Sequence, residues 1–385
     1  MRPASRIEQL PAYLFADLDR KRRAAEQRGL DVISLSIGDP DLPTPEPIVE
    51  AARAALADPS LHRYPDYAGS ARFRQACADW LEMRFGQRFD PQREILGLIG
   101  SKEGIAHLPL AVCNPGDVLL CPEPGYPVYA AAAQLAGAEV HALALRAERG
   151  FLPDLDAVPA GICGRARALW INYPHNPTGA VAGLDFYARA VDFCARHELV
   201  LCADAAYSEI GFEGYRASSV FEVPGAREVA VEFHSMSKTF NMTGWRIAFV
   251  AGRPDVIAPL GALKSNLDSG PFGVVQAAAV AALELGPGPR DAVCEVYQRR
   301  RDRLVEGLRA AGLAPSCPRA TFYVWVPVPG GDDVGFAARL VEQLGVLVAP
   351  GSGFGPSGAG YVRFSLTVAD SRLDEAVERL EKLAL

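Results

Sequence analysis

Short apolar runs recur along the chain and are separated by longer segments with helical spacing of apolar positions. A continuous apolar run of this kind is typical of a buried strand. The runs that we interpret as strands occupy residues 32–37, 95–99, 117–121, 138–145, 168–172, 199–203, 229–233 and 247–251. Helical segments lie between them, for example at residues 46–57 and 71–86. Strands that alternate with helices predict an α/β fold with a mostly parallel sheet flanked by helices.

The last part of the chain has a different pattern. Residues 321–326 and 361–366 read as alternating strands, and residues 333–344 and 371–383 read as helices. This arrangement is typical of a smaller α+β domain, here packed with the N-terminal segment. The chain has 385 residues, which is enough for two domains at roughly 100–200 residues each.

Composition and charge exclude several classes of protein. The net charge is -7, so no basic excess is available to neutralise the phosphates of a nucleic acid. No apolar run approaches the roughly 18 residues that span a membrane, and the N-terminus lacks the apolar region of a signal peptide. The eight cysteines form no C-x-x-C pair, and the six histidines show no metal-ligand spacing. We therefore expect reduced, buried cysteines in a cytoplasmic protein, with no metal site.

A connection between two apolar runs, residues 235–246, carries the first candidate chemistry. A lone lysine in such a connection is ordinarily a solvated loop residue. Lys238, however, is accompanied by hydroxyls at Ser235 and Ser237 and by a cation at Arg246 that suits phosphate. A desolvated lysine near other cations becomes a nucleophilic amine. The segment therefore indicates a Schiff base with a cofactor aldehyde, with the cofactor phosphate held nearby.

Polar residues also follow other predicted strands. Gly100-Ser101-Lys102 comes directly after a strand and opens a helix, where free N–H groups and the helix dipole converge on an anion. Asn176 lies in an Asn-Pro-Thr-Gly sequence that could be only a turn. It follows a buried run, where α/β proteins place ligand groups. Asp204 ends another buried run, where a carboxylate without a partner would be costly.

These motifs, in this order, resemble those of the class I and II aminotransferases of fold type I. The form Ser-x-Ser-Lys-Thr-Phe-x-x-x-Gly-Trp-Arg at residues 235–246 resembles their pyridoxal-phosphate lysine segment. The resemblance covers essentially the whole chain and implies a large pyridoxal-phosphate domain at residues 45–285. Residues 1–44 and 286–385 would form the small domain. Members of the family are homodimers whose active sites lie between subunits.

The resemblance implies a role for each of several residues. Lys238 would form the Schiff base with pyridoxal phosphate and then shuttle the proton as general base and acid. Asp204 would pair with the pyridine nitrogen and keep the ring an effective electron sink. Tyr207 would reach the ring hydroxyl, to which Asn176 would also hydrogen-bond. Tyr126 would stack on the ring.

The cofactor phosphate would be held by a second group of side chains. On the resemblance, these are Ser101, Lys102, Ser235, Ser237 and Arg246. A tyrosine from the neighbouring subunit would add its hydroxyl, and we assign this role to Tyr64, with Tyr67 as the alternative.

The substrate would be bound by residues from both ends of the chain. In the resembled family, an arginine at the position of Arg363 clamps the substrate α-carboxylate, and Gly38 would bring its backbone N–H to the same group. Asn176 and Tyr126 would also face the substrate. From its strand pattern alone, Arg363 could instead be an edge-strand arginine that extends to water.

Within the family, the chain most resembles the LL-diaminopimelate aminotransferases. The segments that carry this resemblance are residues 99–107, 114–117, 124–129 and 233–246. It implies transfer of an amino group between LL-diaminopimelate and 2-oxoglutarate in lysine biosynthesis. The alternatives are succinyl-diaminopimelate, aspartate or alanine transamination, or a pyridoxal-phosphate lyase on the same fold. Glu103 is a candidate acceptor for the distal ammonium of diaminopimelate, and its alternative role is to stabilise the first turn of a helix.

Overall fold

The computed structural model describes residues 2–8, 10 and 14–383. Its strands are β1 Ile33–Ser34, β2 Ile95–Leu98, β3 Val118–Glu123, β4 Glu139–Ala144, β5 Ala166–Asn172, β6 Val200–Asp204, β7 Ala230–Ser235, β8 Ala248–Gly252, β9 Tyr323–Pro327, β10 Val346–Leu347, β11 Ala349–Pro350 and β12 Tyr361–Ser365. Its α-helices are α1 Ser5–Glu8, α2 Leu14–Gln27, α3 Glu46–Leu56, α4 Ala71–Phe85, α5 Ser101–Val112, α6 Val128–Leu135, α7 Ala160–Cys163, α8 Leu184–His197, α9 Met236–Thr239, α10 Pro254–Lys264, α11 Gly273–Glu284, α12 Gly288–Ala310, α13 Asp333–Leu344 and α14 Asp370–Leu380. The predicted strands and helices correspond to these elements, with ends that differ by a few residues.

The central layer is a seven-stranded sheet with the order β2-β8-β7-β6-β5-β3-β4. The pairs β4–β3, β3–β5, β5–β6 and β6–β7 are parallel. Strand β8 is antiparallel to both β7 and β2. A parallel return would need a crossover connection, usually a helix, and the segment between β7 and β8 contains only the four-residue helix α9. The sheet is therefore mostly parallel, as predicted, with one reversed strand.

Helices cover both faces of this sheet. One hydrophobic core contains side chains of α3, α4, α8 and α11, and another contains side chains of α5, α6 and α10. The strands of a doubly covered sheet are buried on both sides, which explains their continuous apolar runs. None of the helices in the described residues combines the length and apolarity needed to cross a membrane.

A second layer joins the two ends of the chain. Strand β1 pairs in parallel with β10, and β9, β12 and β11 form an antiparallel sheet. All of these strands except β11 share a hydrophobic core with side chains of α12, α13 and α14. The division into residues 45–285 and residues 1–44 with 286–385 stays a prediction that this packing favours. The eight cysteines are free, but Cys317 is exposed, so the expectation of burial is wrong for that residue.

Candidate active site

A cavity of about 270 Å³ lies between the large sheet and the second layer. Its lining includes nine of the residues selected from the sequence: Gly38, Ser101, Tyr126, Asn176, Asp204, Tyr207, Ser235, Lys238 and Arg363. Four of the selected residues are not among the lining residues: Tyr64, Lys102, Ser237 and Arg246. The fold thus gathers most of the predicted site from segments that are far apart in the sequence.

The parallel sheet supplies the floor of the cavity. Asn172, Asp204 and Ser235 are the last residues of β5, β6 and β7, and Asn172 lies opposite Asp204 in the β5–β6 ladder. Neighbouring parallel strands end at the same edge of a sheet, which is where open α/β sheets bind ligands. Asn172 was missed by the sequence reasoning. Its amide donates to the Asp204 carbonyl oxygen at 2.7 Å and its Oδ1 accepts from the Asn176 N–H at 2.9 Å.

Lys238 lies on the short helix α9 and points into the cavity. Its Nζ donates to the Gly38 carbonyl oxygen at 2.9 Å. Burial lowers the pKa of Lys238 to about 8, an effect that Asp39 opposes and that Arg246 and Arg363 reinforce. A lysine in this state gives up its proton more readily than an ordinary lysine, and the free amine is a nucleophile or a base.

Asp204 is a buried carboxylate with two hydrogen-bond donors. The Tyr129 hydroxyl donates to Oδ2 at 2.7 Å, and the Ala206 N–H donates to Oδ1 at 3.3 Å. Burial nevertheless raises the pKa of Asp204 to about 6, against these hydrogen bonds. Tyr129, whose ring stacks on Trp170 at 4.9 Å, was not selected from the sequence. The available signal was a second aromatic residue three positions after Tyr126, at the start of α6.

Arg363 is fully buried in β12, which is the middle strand of its three-stranded sheet. The alternative of an edge-strand arginine that extends to water is therefore wrong. Its Nη1 donates to Asn176 Oδ1 at 2.8 Å, and its Nη2 donates to the Ser36 carbonyl oxygen. The guanidinium lies 4.1 Å from the ring centre of Tyr323 and 4.7 Å from that of Phe354. These contacts fix the orientation of a cation inside the cavity wall.

Tyr323 is a further lining residue that the sequence reasoning missed. Its hydroxyl lies 3.1 Å from the Tyr207 hydroxyl. A Cβ atom on Gly38 would lie 1.9 Å from the Tyr323 hydroxyl oxygen, so glycine is required for this close approach. Tyr323 belongs to the alternating pattern of β9, and nothing in that pattern separates it from an ordinary core residue.

The turn before α5 packs against Arg246. Gly100 has a φ of 100°, and a Cβ atom there would lie 2.1 Å from Arg246 Nη2. The guanidinium therefore lies beside the N-terminus of α5, whose first residue is Ser101. Arg246 Nη1 donates to the Thr243 carbonyl oxygen at 2.6 Å. A cation next to free helical N–H groups is suited to a phosphate, although Arg246 and Lys102 line an adjoining recess and not the cavity itself.

Glu103 also lies in that recess, outside the cavity. Its carboxylate accepts hydrogen bonds from the Ile99 N–H at 3.2 Å and from His107 Nδ1 at 2.8 Å. The buried Lys264 ammonium lies 3.4 Å from Glu103 and 2.7 Å from Asp268. These contacts favour the helix first-turn role of Glu103 over the role of ammonium acceptor. Glu103, His107 and Asp268 are also close enough together to hold a metal ion, and the Lys264 ammonium pairs with the two carboxylates of this group.

Tyr64 and Tyr67 both lie on the surface of the single chain. Tyr64 is 87% exposed and Tyr67 is 48% exposed, and neither lines the cavity. The assignment of Tyr64 to the site of a neighbouring subunit stays a prediction. Ser237 is buried within α9, and its predicted contact with a phosphate also stays a prediction.

The model of the family "Aminotransferase class I and II" matches residues 30–380, and the chain belongs to this family. Among curated relatives, the LL-diaminopimelate aminotransferase of Desulforudis audaxviator is 55% identical, over 98% of this chain and 96% of the relative. Substrate-bound BacF of Bacillus subtilis has a TM-score of 0.95 at 36% identity, over 100% of this chain and 98% of that one. The probable N-succinyldiaminopimelate aminotransferase of Thermus thermophilus has a TM-score of 0.91 at 40% identity, over 96% and 99% of the two chains. The expected aminotransferase fold and enzyme class are thereby confirmed.

Proposed function

We propose that the chain is a pyridoxal-phosphate-dependent LL-diaminopimelate:2-oxoglutarate aminotransferase of lysine biosynthesis. The observation that carries the proposal is one cavity that joins three charged groups. These are the half-buried amine of Lys238, the buried carboxylate of Asp204 and the buried guanidinium of Arg363. A site with these three groups is suited to a cationic cofactor ring and an amino-acid carboxylate.

The residues around the cavity fit pyridoxal phosphate. Lys238 offers an amine with a lowered pKa for a cofactor aldehyde, and Asp204 offers an anion for a protonated ring nitrogen. The Gly100 turn offers free N–H groups at the start of α5, with the Arg246 guanidinium beside it. Tyr126 lines the same cavity as a flat aromatic surface. When bound, pyridoxal phosphate supplies an electron sink for charge that develops at the substrate Cα.

Arg363 and Lys238 have different roles in amino transfer. Arg363 binds the substrate α-carboxylate and fixes the orientation of the Cα–H bond. Lys238, as the free amine, accepts the proton from Cα and holds it on Nζ for return. With a pKa of about 8, a larger fraction of this amine is free at neutral pH than for an ordinary lysine.

The substrate assignment rests on the relatives. A curated relative named LL-diaminopimelate aminotransferase is 55% identical to this chain, whereas the solved probable N-succinyldiaminopimelate aminotransferase is 40% identical. The difference favours the unmodified diamino acid as the donor. We also propose a homodimer, which the exposed Tyr64 supports as a residue available to a second chain. A cytoplasmic location remains a prediction from the sequence.

The test is a panel of amino donors with 2-oxoglutarate and the cofactor-loaded enzyme. Glutamate formation is measured for LL-diaminopimelate, N-succinyl-LL-diaminopimelate, aspartate and alanine, and ammonia release is measured to detect lyase activity. We expect LL-diaminopimelate to have the highest kcat/KM and ammonia release to be negligible. A higher value for any other donor would reject the substrate assignment. The Lys238→Ala variant controls for glutamate formed without the enzyme's own chemistry.

A further inference from the structure

We propose that a second cavity, separate from the active site, binds a small carboxylate with an apolar body. Two adjoining recesses of about 320 Å³ and about 180 Å³ share four side chains: Arg84, Glu209, Arg216 and Arg290. We call the smaller recess the arginine cavity. None of its lining residues lines the active-site cavity.

The arginine cavity has an excess of positive charge. Its single acidic lining residue, Glu209, faces three arginines. Glu209 is buried between two of them, 2.9 Å from Arg84 Nε and 3.0 Å from Arg290 Nη1. Arg290 also pairs with Asp291 at 2.7 Å, so Glu209 and Asp291 together balance Arg84 and Arg290. The remaining positive charge of the arginine cavity is that of Arg216. The larger recess carries three further acidic groups, Glu213, Asp291 and Glu295, so an anion is favoured only in the smaller one.

The third arginine is available to a ligand. Arg216 is exposed, and among the described residues it has no hydrogen bond or ion pair. A guanidinium presents paired N–H groups that match a carboxylate in a bidentate contact. Arg84 and Arg290, in contrast, are already committed to Glu209. We therefore assign the direct contact with the ligand carboxylate to Arg216.

The apolar lining of the arginine cavity favours an organic anion over an inorganic one. Trp80 and Phe240 are buried apolar side chains in the lining, and Leu285, Met83 and Pro287 add apolar surface. Burying apolar surface against such walls is favourable for a ligand with an apolar body and offers nothing to a free phosphate. A volume of about 180 Å³ lies below the roughly 300–1,000 Å³ of drug-sized ligand sites. The ligand is therefore the size of a single ring with one carboxylate.

The arginine cavity lies on the same chain segments as the active site. Thr239 and Phe240 line it, directly after Lys238, and Glu209 lines it two residues after Tyr207. Each of the two segments thus contributes lining residues to both cavities. A ligand in the arginine cavity would contact the segments that hold the catalytic lysine, which gives the site a route to regulation.

The test uses benzoate as the probe and the cofactor-loaded enzyme in isothermal titration calorimetry. For so small a ligand, we expect a Kd on the order of 1 mM at the arginine cavity. The Arg216→Ala variant should weaken this binding by at least about tenfold, the loss of a hydrogen-bonded charge partner. Arg216→Lys should restore part of it, and kcat should be unchanged in both. The matched control is Arg196→Ala, which removes an exposed arginine of α8 that lines neither cavity.

Three results would overturn the proposal. Benzoate could bind the Arg216→Ala variant with the wild-type stoichiometry and Kd, which would assign all binding to Arg363 in the active site. Benzamide could bind as tightly as benzoate, which would show that the charge is not recognised. Inorganic phosphate could bind as tightly as benzoate, which would remove the apolar body from the ligand class. Because this test measures binding, it is independent of which amino donor the enzyme uses.

Discussion

Asp204 should make the cofactor-free protein less stable at neutral pH than at acidic pH. Its pKa is raised from 3.8 to about 6, chiefly by burial. Folding therefore favours the protonated carboxyl group. The contribution of Asp204 to stability is fully present below pH 3.8 and is lost as the pH rises through 6. The Asp204→Asn variant keeps the shape of the side chain and removes this titration.

The size of the effect follows from the two pKa values. A rise from 3.8 to about 6 corresponds to about 3 kcal/mol, at about 1.4 kcal/mol for each pH unit. The side chain is buried, so solvent screening does not reduce this figure. Between pH 4.5 and pH 7.5, about 2 kcal/mol of this contribution to the free energy of unfolding is lost. Over that interval, Asp204→Asn should gain about 2 kcal/mol of stability relative to the wild type.

The assay is urea unfolding of both cofactor-free proteins at pH 4.5 and pH 7.5. Tryptophan fluorescence is a suitable signal because Trp170 and Trp325 are fully buried. Protein concentration is kept equal, since any dissociation of subunits would otherwise contribute. In the Tyr129→Phe variant, loss of the 2.7 Å hydrogen bond should raise the pKa of Asp204 further. Its stability should then continue to fall above pH 6.

The result that refutes this reasoning is a parallel pH dependence of the wild type and Asp204→Asn. Equal changes in the free energy of unfolding would mean that Asp204 titrates alike in the folded and unfolded chains. The carboxylate would then carry no energetic cost that a bound cation could relieve. Such a result would remove the physical basis for the proposed pairing of Asp204 with a cofactor ring nitrogen.

Two further predictions concern the catalytic lysine and the second subunit. Borohydride reduction of the cofactor-loaded wild type should attach the cofactor to the peptide that contains Lys238. The control variant Lys382→Ala should keep this adduct, and Lys238→Ala should lose it. Mass spectrometry that finds the adduct on another lysine would contradict the assignment. Mixing impaired Tyr64→Phe and Lys238→Ala proteins should form hybrid dimers with one intact site and recover activity. Confirmed exchange of subunits without recovery would argue for a site built from one chain.

Several features followed from the sequence because they are local. The periodicity of apolar residues indicates where buried strands and helices alternate, and this alternation predicted the α/β fold correctly. The ends of buried strands could be located in the same way. The apolar pattern thus identified Asn176 and Asp204 as polar residues after buried strands, where α/β proteins place ligand groups. Lys238 was selected because its cationic and hydroxyl neighbours lie within the same short segment.

Other features required the tertiary structure because they join distant parts of the chain. Tyr129 and Asp204 are 75 residues apart, and Arg363 and Asn176 are 187 residues apart. No local pattern distinguishes Tyr323 from a core aromatic residue, since only the packing of the folded chain determines what its hydroxyl contacts. The same holds for Glu103, whose sequence position allowed a substrate contact.

The sequence by itself therefore determined which segments become strands and which polar residues stand at their ends. Those properties depend on the period of the apolar pattern, and that period is set by backbone geometry. Only the tertiary structure decided which polar groups meet. It placed Glu103 near Lys264, brought Arg216 and Glu209 into the lining of one cavity, and buried Arg363 in a central strand. These contacts depend on the docking of helices and sheets, and side-chain periodicity within one element does not specify that docking.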